Sequence, residues 1–152
     1  MIASQIINNR LINSMKSIDH TISVRKNMMS YIDWLTEYRT FNFSLPRQTG
    51  KTTTLVDCVQ QNTILLTYSS DMSYRIKTDF GLINVAISTV PAFNSYKKFR
   101  DIKDKIGSVF LDETQLIKKE DMVSLYETLY YLESYELLTP DFFILGVGTP
   151  TQ

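Results

Sequence analysis

The sequence predicts an α/β protein in which a mostly parallel sheet is flanked by helices and preceded by N-terminal helices. Short apolar runs of strand length alternate along the chain with segments of helical spacing, and this alternation is typical of parallel sheets. The chain has 152 residues, of which 43% are hydrophobic, enough for one domain with its own core. We therefore predict a helical segment over residues 1–38, packed on a single core that spans residues 39–152.

The first elements follow from local spacing. Apolar residues recur at helical intervals before residue 38 and predict one or two helices. These residues are Ile7, Leu11, Met15, Ile18, Ile22, Val24, Met28, Ile32 and Leu35. The segment "TFNFSL" then alternates apolar and polar residues as a strand does, and Pro46 ends it. Leu55 and Val59 are spaced to share one face of the helix that follows.

The second half of the chain continues the alternation. The run "TILLTYSS" is continuously apolar over its first residues, which suits a strand covered on both faces. A helix is predicted around Asp71 to Phe80, and "INVAIST" and "SVFLDE" are predicted strands. A second helix is marked by Met122, Leu125, Leu129 and Leu132. The segment "DFFILGVGTP" is the last predicted strand.

Composition excludes several classes of protein. No apolar run is as long as a membrane-spanning helix, and the first 20 residues lack the apolar centre of a secretory signal. One cysteine and one histidine leave little for a zinc site. The single Cys58 excludes an internal disulfide and is predicted to be buried and inert. We therefore expect a cytoplasmic protein without a membrane partner.

Charge is distributed unevenly although the net charge is zero. Residues 1–108 contain 14 Lys and Arg against 8 Asp and Glu, whereas residues 109–152 contain 2 against 8. A basic half of this kind can face nucleic acid.

A Gly-Lys-Thr triplet follows the strand "TFNFSL" and opens the next helix. The phosphate-binding loop G-x-x-x-x-G-K-[ST] requires this strand–loop–helix context, although Leu45 stands here in place of the first glycine. Gly50 allows the backbone to approach phosphates closely, Lys51 can bridge the β- and γ-phosphates, and Thr52 can ligate Mg²⁺. The sequence therefore predicts a site for ATP and magnesium. The alternative is an ordinary turn between a strand and a helix.

Two adjacent carboxylates end the apolar strand "SVFLDE". In nucleotide hydrolases an aspartate at this place holds Mg²⁺, and a glutamate beside it activates the attacking water. Asp112 and Glu113 are the candidates for these roles. Because phosphoryl transfer to a small acceptor needs no water-activating base, the glutamate favours hydrolysis. The alternative is a carboxylate pair that caps the following helix.

The last strand ends in a polar tip. P-loop ATPases with a catalytic glutamate have an additional strand between the loop strand and the acidic strand. The segment "FFILGVGTP" is predicted to be that strand, with Thr149 bonding either the γ-phosphate or Glu113. The alternative is a threonine that begins a turn before Pro150.

Three motifs together resemble the ATPase domain of the large terminase subunits of tailed phages. The segment "LPRQTGKTT" resembles their Walker A loop, which often reads R-Q-x-G-K-T without the first glycine. "VFLDE" resembles their Walker B segment, and "GVGTP" their coupling motif. The nucleotide-binding residues that this resemblance implies are Pro46, Arg47, Gln48, Thr49, Gly50, Lys51, Thr52 and Thr53.

The resemblance implies a P-loop fold of the additional-strand type and a motor function. Hydrolysis of Mg-ATP would drive double-stranded DNA into a procapsid in the host cytoplasm. The partners would be DNA, further copies of the chain in a ring, the portal and the small terminase subunit. Arg47 would stabilise charge on the phosphates, unless it is a surface or salt-bridge residue, and Thr149 would couple phosphate state to motion.

The sequence departs from terminases after the third motif. Large terminase subunits continue into a lid and a nuclease domain, whereas this sequence stops at Gln152 and contains no cluster of three or four carboxylates. We therefore expect both regions to be absent and hydrolysis by this chain alone to be slow. Two alternatives stay open: a helicase-like DNA-remodelling ATPase, and a nucleotide-binding regulatory module that has lost turnover.

Overall fold

A computed structural model describes residues 5–7, 9–10, 30–44, 51–60, 62–81, 85–95 and 104–149. Its helices are α1 (Tyr31–Tyr38), α2 (Lys51–Asp57), α3 (Ser70–Phe80), α4 (Val90–Phe93) and α5 (Lys119–Ser134), with a 3-10 turn at Thr114–Leu116. Its strands are β1 (Thr40–Ser44), β2 (Thr63–Thr67), β3 (Ala86–Thr89), β4 (Ile106–Asp112) and β5 (Leu138–Gly148).

The five strands form one parallel sheet in the order β1-β5-β4-β2-β3. This confirms the predicted α/β class and its parallel sheet. The last strand of the chain, β5, lies between β1 and β4. The segment "DFFILGVGTP" therefore contributes a strand between the one that precedes the Gly-Lys-Thr triplet and the one that ends at Asp112, as predicted.

Helices cover both faces of the sheet, which is why the central strands are apolar in nearly every position. In β4, Val109 and Leu111 point to a first face, and Phe110 points to a second. The first face packs against apolar residues of α1, α4 and α5, and the second against residues of α2 and α3. The burial predicted for "TILLTYSS" is confirmed, since four of the five residues of β2 are buried.

The described parts of the N-terminal segment are helical, as their spacing predicts. Residues 5–7 and 9–10 are helical, and Ile7 is buried. Residues 11–29, which contain most of the predicted spacing, lie outside the described residues. Helix α1 begins after Ser30, whose side chain accepts a hydrogen bond from the Asp33 backbone N–H.

Several predicted boundaries are wrong: β4 begins at Ile106 rather than Ser108, and β5 spans Leu138–Gly148 rather than residues 141–150. Helix α2 ends at Asp57, so Val59 does not share a helix face with Leu55. Instead the Val59 N–H donates to the carbonyl of Val56 at 3.1 Å, a tighter bond that closes the helix. Strand β2 ends at Thr67, because Ser69 caps α3 through a bond from Met72 N–H. Strand β4 ends at Asp112, one residue before the predicted end.

The tyrosine-rich helix α5 packs through its leucines, as their spacing predicts. Leu125, Leu129 and Leu132 are buried in the first face, while Tyr130 and Tyr131 are exposed. Cys58 is also buried, as predicted. Among the described helices, none is long and apolar enough to span a membrane.

Candidate functional site

The carboxyl ends of β1, β5 and β4 lie side by side at one edge of the sheet, called here the carboxyl edge. Ser44, at the end of β1, pairs with Gly148, and Asp112, at the end of β4, pairs with Val147. Thr149 follows β5 directly. Ligands of open α/β sheets bind outside this edge, so the polar residues here form the candidate site.

The predicted phosphate loop is only partly described. Pro46, Arg47, Gln48, Thr49 and Gly50 lie outside the described residues, as does the side chain of Lys51. The described ends of this segment both stand at the carboxyl edge: Ser44 ends β1, and Lys51 begins α2. Thr52 and Thr53 follow in the first turn of α2, and both are half-buried.

The hydroxyl of Thr52 lies against the carboxylate of Asp112. It donates to Asp112 Oδ2 at 3.2 Å and lies 3.5 Å from Oδ1, across 60 residues of sequence. Asp112 alternates with Phe110 along β4 and therefore points to the second face, which α2 covers. The Asp112 side chain is completely buried. A buried carboxylate beside a hydroxyl provides two oxygen ligands of the kind that Mg²⁺ prefers.

Among the described residues, no group of three or more His, Cys, Asp or Glu is placed to hold a metal ion. Protein sites for Mg²⁺ in nucleotide enzymes use one or two carboxylates and complete the coordination with phosphates and water. The pair of Thr52 and Asp112 is a donor set of that kind, and the residues fit the predicted cation.

Glu113 adopts a left-handed backbone conformation, with φ 51° and ψ 57°. Residues other than glycine rarely do so, and strain of this kind is estimated at about 1–3 kcal/mol. The Leu116 N–H donates to the Glu113 carbonyl at 2.9 Å and closes the 3-10 turn that follows. Glu113 therefore directly follows β4 and takes the chain into the turn that packs against the tip of β5.

Gln115 joins two of the predicted site residues, and the sequence analysis missed it. Its amide nitrogen donates to Glu113 Oε2, and its amide oxygen accepts a hydrogen bond from the Thr149 backbone N–H at 3.0 Å. Thr149 and Glu113 are thus connected through a third side chain, whereas the sequence analysis expected Thr149 to bond Glu113 or the γ-phosphate directly. The only sequence signal for Gln115 was its position two residues after Glu113.

Two glycines of β5 allow this close packing. A Cβ at Gly148 would contact the Thr114 hydroxyl and lie 2.8 Å from Gln115 Oε1. A Cβ at Gly146 would contact Asn42 Oδ1 and lie 2.8 Å from Thr114 Cγ2. Both distances are shorter than real Cβ contacts, so a side chain at either position would displace its neighbours. Gly146 and Gly148 therefore allow the 3-10 turn to pack directly against β5.

An all-parallel sheet with helices on both faces is common to Rossmann-like and P-loop folds. No protein-family model matches the chain, and no curated protein matches it.

Proposed function

We propose that the chain is a P-loop nucleoside triphosphatase that binds Mg-ATP at the carboxyl edge and hydrolyses it. The observation that best supports this proposal is the bond from Thr52 to the buried Asp112. The two residues come from separate motifs, and they meet as the magnesium ligands of such an enzyme would. The position of β5 between β1 and β4 also supports the additional-strand type of P-loop fold.

Thr52 and Asp112 would hold the cation in this enzyme. When bound there, Mg²⁺ would supply positive charge that offsets the negative charge of the phosphates during hydrolysis. The chain itself supplies further positive charge: Lys51 binds the phosphate oxygens, and Arg47 stabilises charge on the γ-phosphate. Both assignments rest on the sequence motif.

Glu113 is the proposed general base. Its carboxylate accepts a proton from a water molecule, whose oxygen attacks the γ-phosphorus while the bond to the β-phosphate oxygen breaks. Glu113 suits this role because it follows the buried Asp112 directly and is half-exposed at the carboxyl edge. The Gln115 amide connects Glu113 to Thr149. Thr149 would couple the state of the bound phosphate to the tip of β5.

The motor function is a finer proposal that rests on the resemblance to large terminase subunits. Its substrate would be double-stranded DNA, moved by a homo-oligomeric ring that contacts the portal and the small terminase subunit. The three motifs in "LPRQTGKTT", "VFLDE" and "GVGTP" support this assignment.

ATP turnover, measured with and without double-stranded DNA, tests the proposal. The parent should release phosphate from Mg-ATP, and Lys51→Ala should abolish binding or turnover while the fold is retained. Lys77→Ala is a matched control, because Lys77 is exposed in the last turn of α3, away from the carboxyl edge. Equal turnover by the parent and Lys51→Ala would reject the proposed site.

Turnover measured with and without DNA, together with a packaging assay, distinguishes the motor from the alternative functions. Stimulation of turnover by DNA supports a DNA motor, and nucleotide binding without turnover supports a regulatory module instead. Packaging into a procapsid with a portal would distinguish a terminase-like motor from a strand-separating helicase.

A further inference from the structure

We propose that Gln115 is a positioning residue that couples the catalytic base Glu113 to the tip of β5. This inference rests on the proposed function, since it concerns the same hydrolytic site. The side-chain amide of Gln115 is the link: it donates to the Glu113 carboxylate and accepts from the Thr149 backbone N–H.

Both bonds fix the same orientation of the amide. An ionised carboxylate can only accept hydrogen bonds, and a backbone N–H can only donate. The Gln115 NH₂ group must therefore face Glu113, and its carbonyl oxygen must face Thr149. With the amide reversed, both bonds would be lost. The orientation is thus determined by the two partners that the link joins.

The backbone around the amide keeps the three groups together. Gly148 leaves the space that Gln115 Oε1 occupies, as a Cβ there would lie only 2.8 Å from this oxygen. On the other side, the left-handed conformation of Glu113 turns the chain directly into the 3-10 segment that contains Gln115. A shift of the β5 tip therefore displaces the amide, and the amide holds one oxygen of the base.

This arrangement gives a physical route from the γ-phosphate to the catalytic base. Where the tip of β5 responds to the γ-phosphate, the Thr149 N–H moves with it, and Gln115 transmits that movement to Glu113. The base is oriented for proton transfer only while the tip is in place. Loss of the link should therefore lower kcat and leave ATP binding unchanged, because the Gln115 amide bonds Glu113 and Thr149 rather than the proposed magnesium ligands.

Two substitutions of nearly equal length separate the two bonds. Gln115→Glu keeps an oxygen to accept from Thr149 N–H but cannot donate to Glu113. Gln115→Met keeps the length and loses both bonds. Gln60→Met is the matched control, because Gln60 is an exposed glutamine near the amino end of β2, at the opposite edge of the sheet. For each protein, kcat and KM for ATP are measured, together with hydrogen exchange of the Thr149 amide by NMR.

We expect kcat to fall about 10-fold or more in both Gln115 variants, since a misplaced base loses part of its contribution. KM for ATP should change less than about 3-fold, because the phosphate and magnesium contacts are retained. Exchange of the Thr149 amide should accelerate in Gln115→Met and stay slow in Gln115→Glu. A side chain that only filled space would tolerate Gln115→Met, which keeps its length, even though Gln115→Glu sets a second carboxylate against Glu113.

Two results would overturn the inference. The first is that both Gln115 variants have the same kcat as Gln60→Met. The second is that hydrogen exchange of the Thr149 amide is as slow in Gln115→Met as in the parent. Failure of the proposed function looks different: the parent itself shows no turnover. Hydrogen exchange of the Thr149 amide still tests the hydrogen bond to Gln115 in that case. Accelerated exchange in Gln115→Met would then support a structural contact and reject its role in coupling.

Discussion

Two glutamates with the same unusual backbone conformation allow strain and catalysis to be measured separately. Glu113 has φ 51° and Glu136 has φ 59°, both in the left-handed region. Glu113 stands at the carboxyl edge, whereas Glu136 follows α5 and precedes β5, at the opposite edge. We predict that Glu113→Gly stabilises the fold relative to Glu113→Ala and abolishes hydrolysis. Glu136→Gly should be more stable to unfolding than the parent and should hydrolyse ATP at the parent rate.

The magnitude follows from the backbone. A left-handed conformation costs a non-glycine residue roughly 1–2 kcal/mol. Glycine removes this cost but gives the unfolded chain extra freedom, which offsets about 0.4–1 kcal/mol. Taking the middle of each range, the net gain for Glu136→Gly is about 0.8 kcal/mol, or a rise in Tm of about 2–3 °C for a chain of this size. Glu113→Gly gains less, because it also loses the hydrogen bond from Gln115.

Thermal and urea unfolding, followed by circular dichroism, would give the order of stability. We expect Glu136→Gly to be the most stable and Glu113→Ala the least, since alanine keeps the strain and loses the side-chain bond. Phosphate release measured on the same samples should fall about 10²-fold or more in both Glu113 variants, as loss of a general base requires.

Two results would refute this reasoning. If Glu113→Ala were as stable as Glu113→Gly, the left-handed conformation would not be a source of strain. If Glu113→Gly hydrolysed ATP at the parent rate, the base would be another residue, and Glu113 would have a structural role only.

Three further predictions concern other parts of the site and core. Thr52→Val removes the hydroxyl that donates to Asp112, so magnesium-dependent turnover should fall roughly 10-fold. Thr52→Ser keeps the hydroxyl and should stay near the parent, and a Mg²⁺ titration of turnover checks both. Gly148→Ala should displace Gln115 and lower kcat with little change in KM; an unchanged kcat would contradict the packing described for this glycine. Burial raises the pKa of the Cys58 thiol, so a thiol reagent at pH 8 should react slowly with the native protein and quickly in denaturant. Rapid labelling of the native protein would mean that the thiol is accessible.

Much of the architecture could be predicted because its signals are local. The apolar run in β2 is buried as a strand covered on both faces, and the leucines of α5 share one buried face. Alternation of strands and helices was enough for the parallel sheet. Where the local signal was ambiguous the prediction failed: Val59 fits helical spacing, but the chain leaves the helix after Asp57.

The sequence by itself determined which chemical groups are present and which element each occupies: Thr52 at the start of a helix, and Asp112 and Glu113 at the end of an apolar strand. The position of β5 between β1 and β4 was expected only by analogy with P-loop ATPases, and the tertiary structure shows it directly. Only the tertiary structure decided that the Thr52 hydroxyl meets the Asp112 carboxylate. It also decided that Gln115 joins Glu113 to Thr149. The physical reason is that helical and strand periodicity depends on neighbours a few residues away. Contacts across 34 or 60 residues depend instead on strand order and register, which bring distant side chains to the same edge of the sheet.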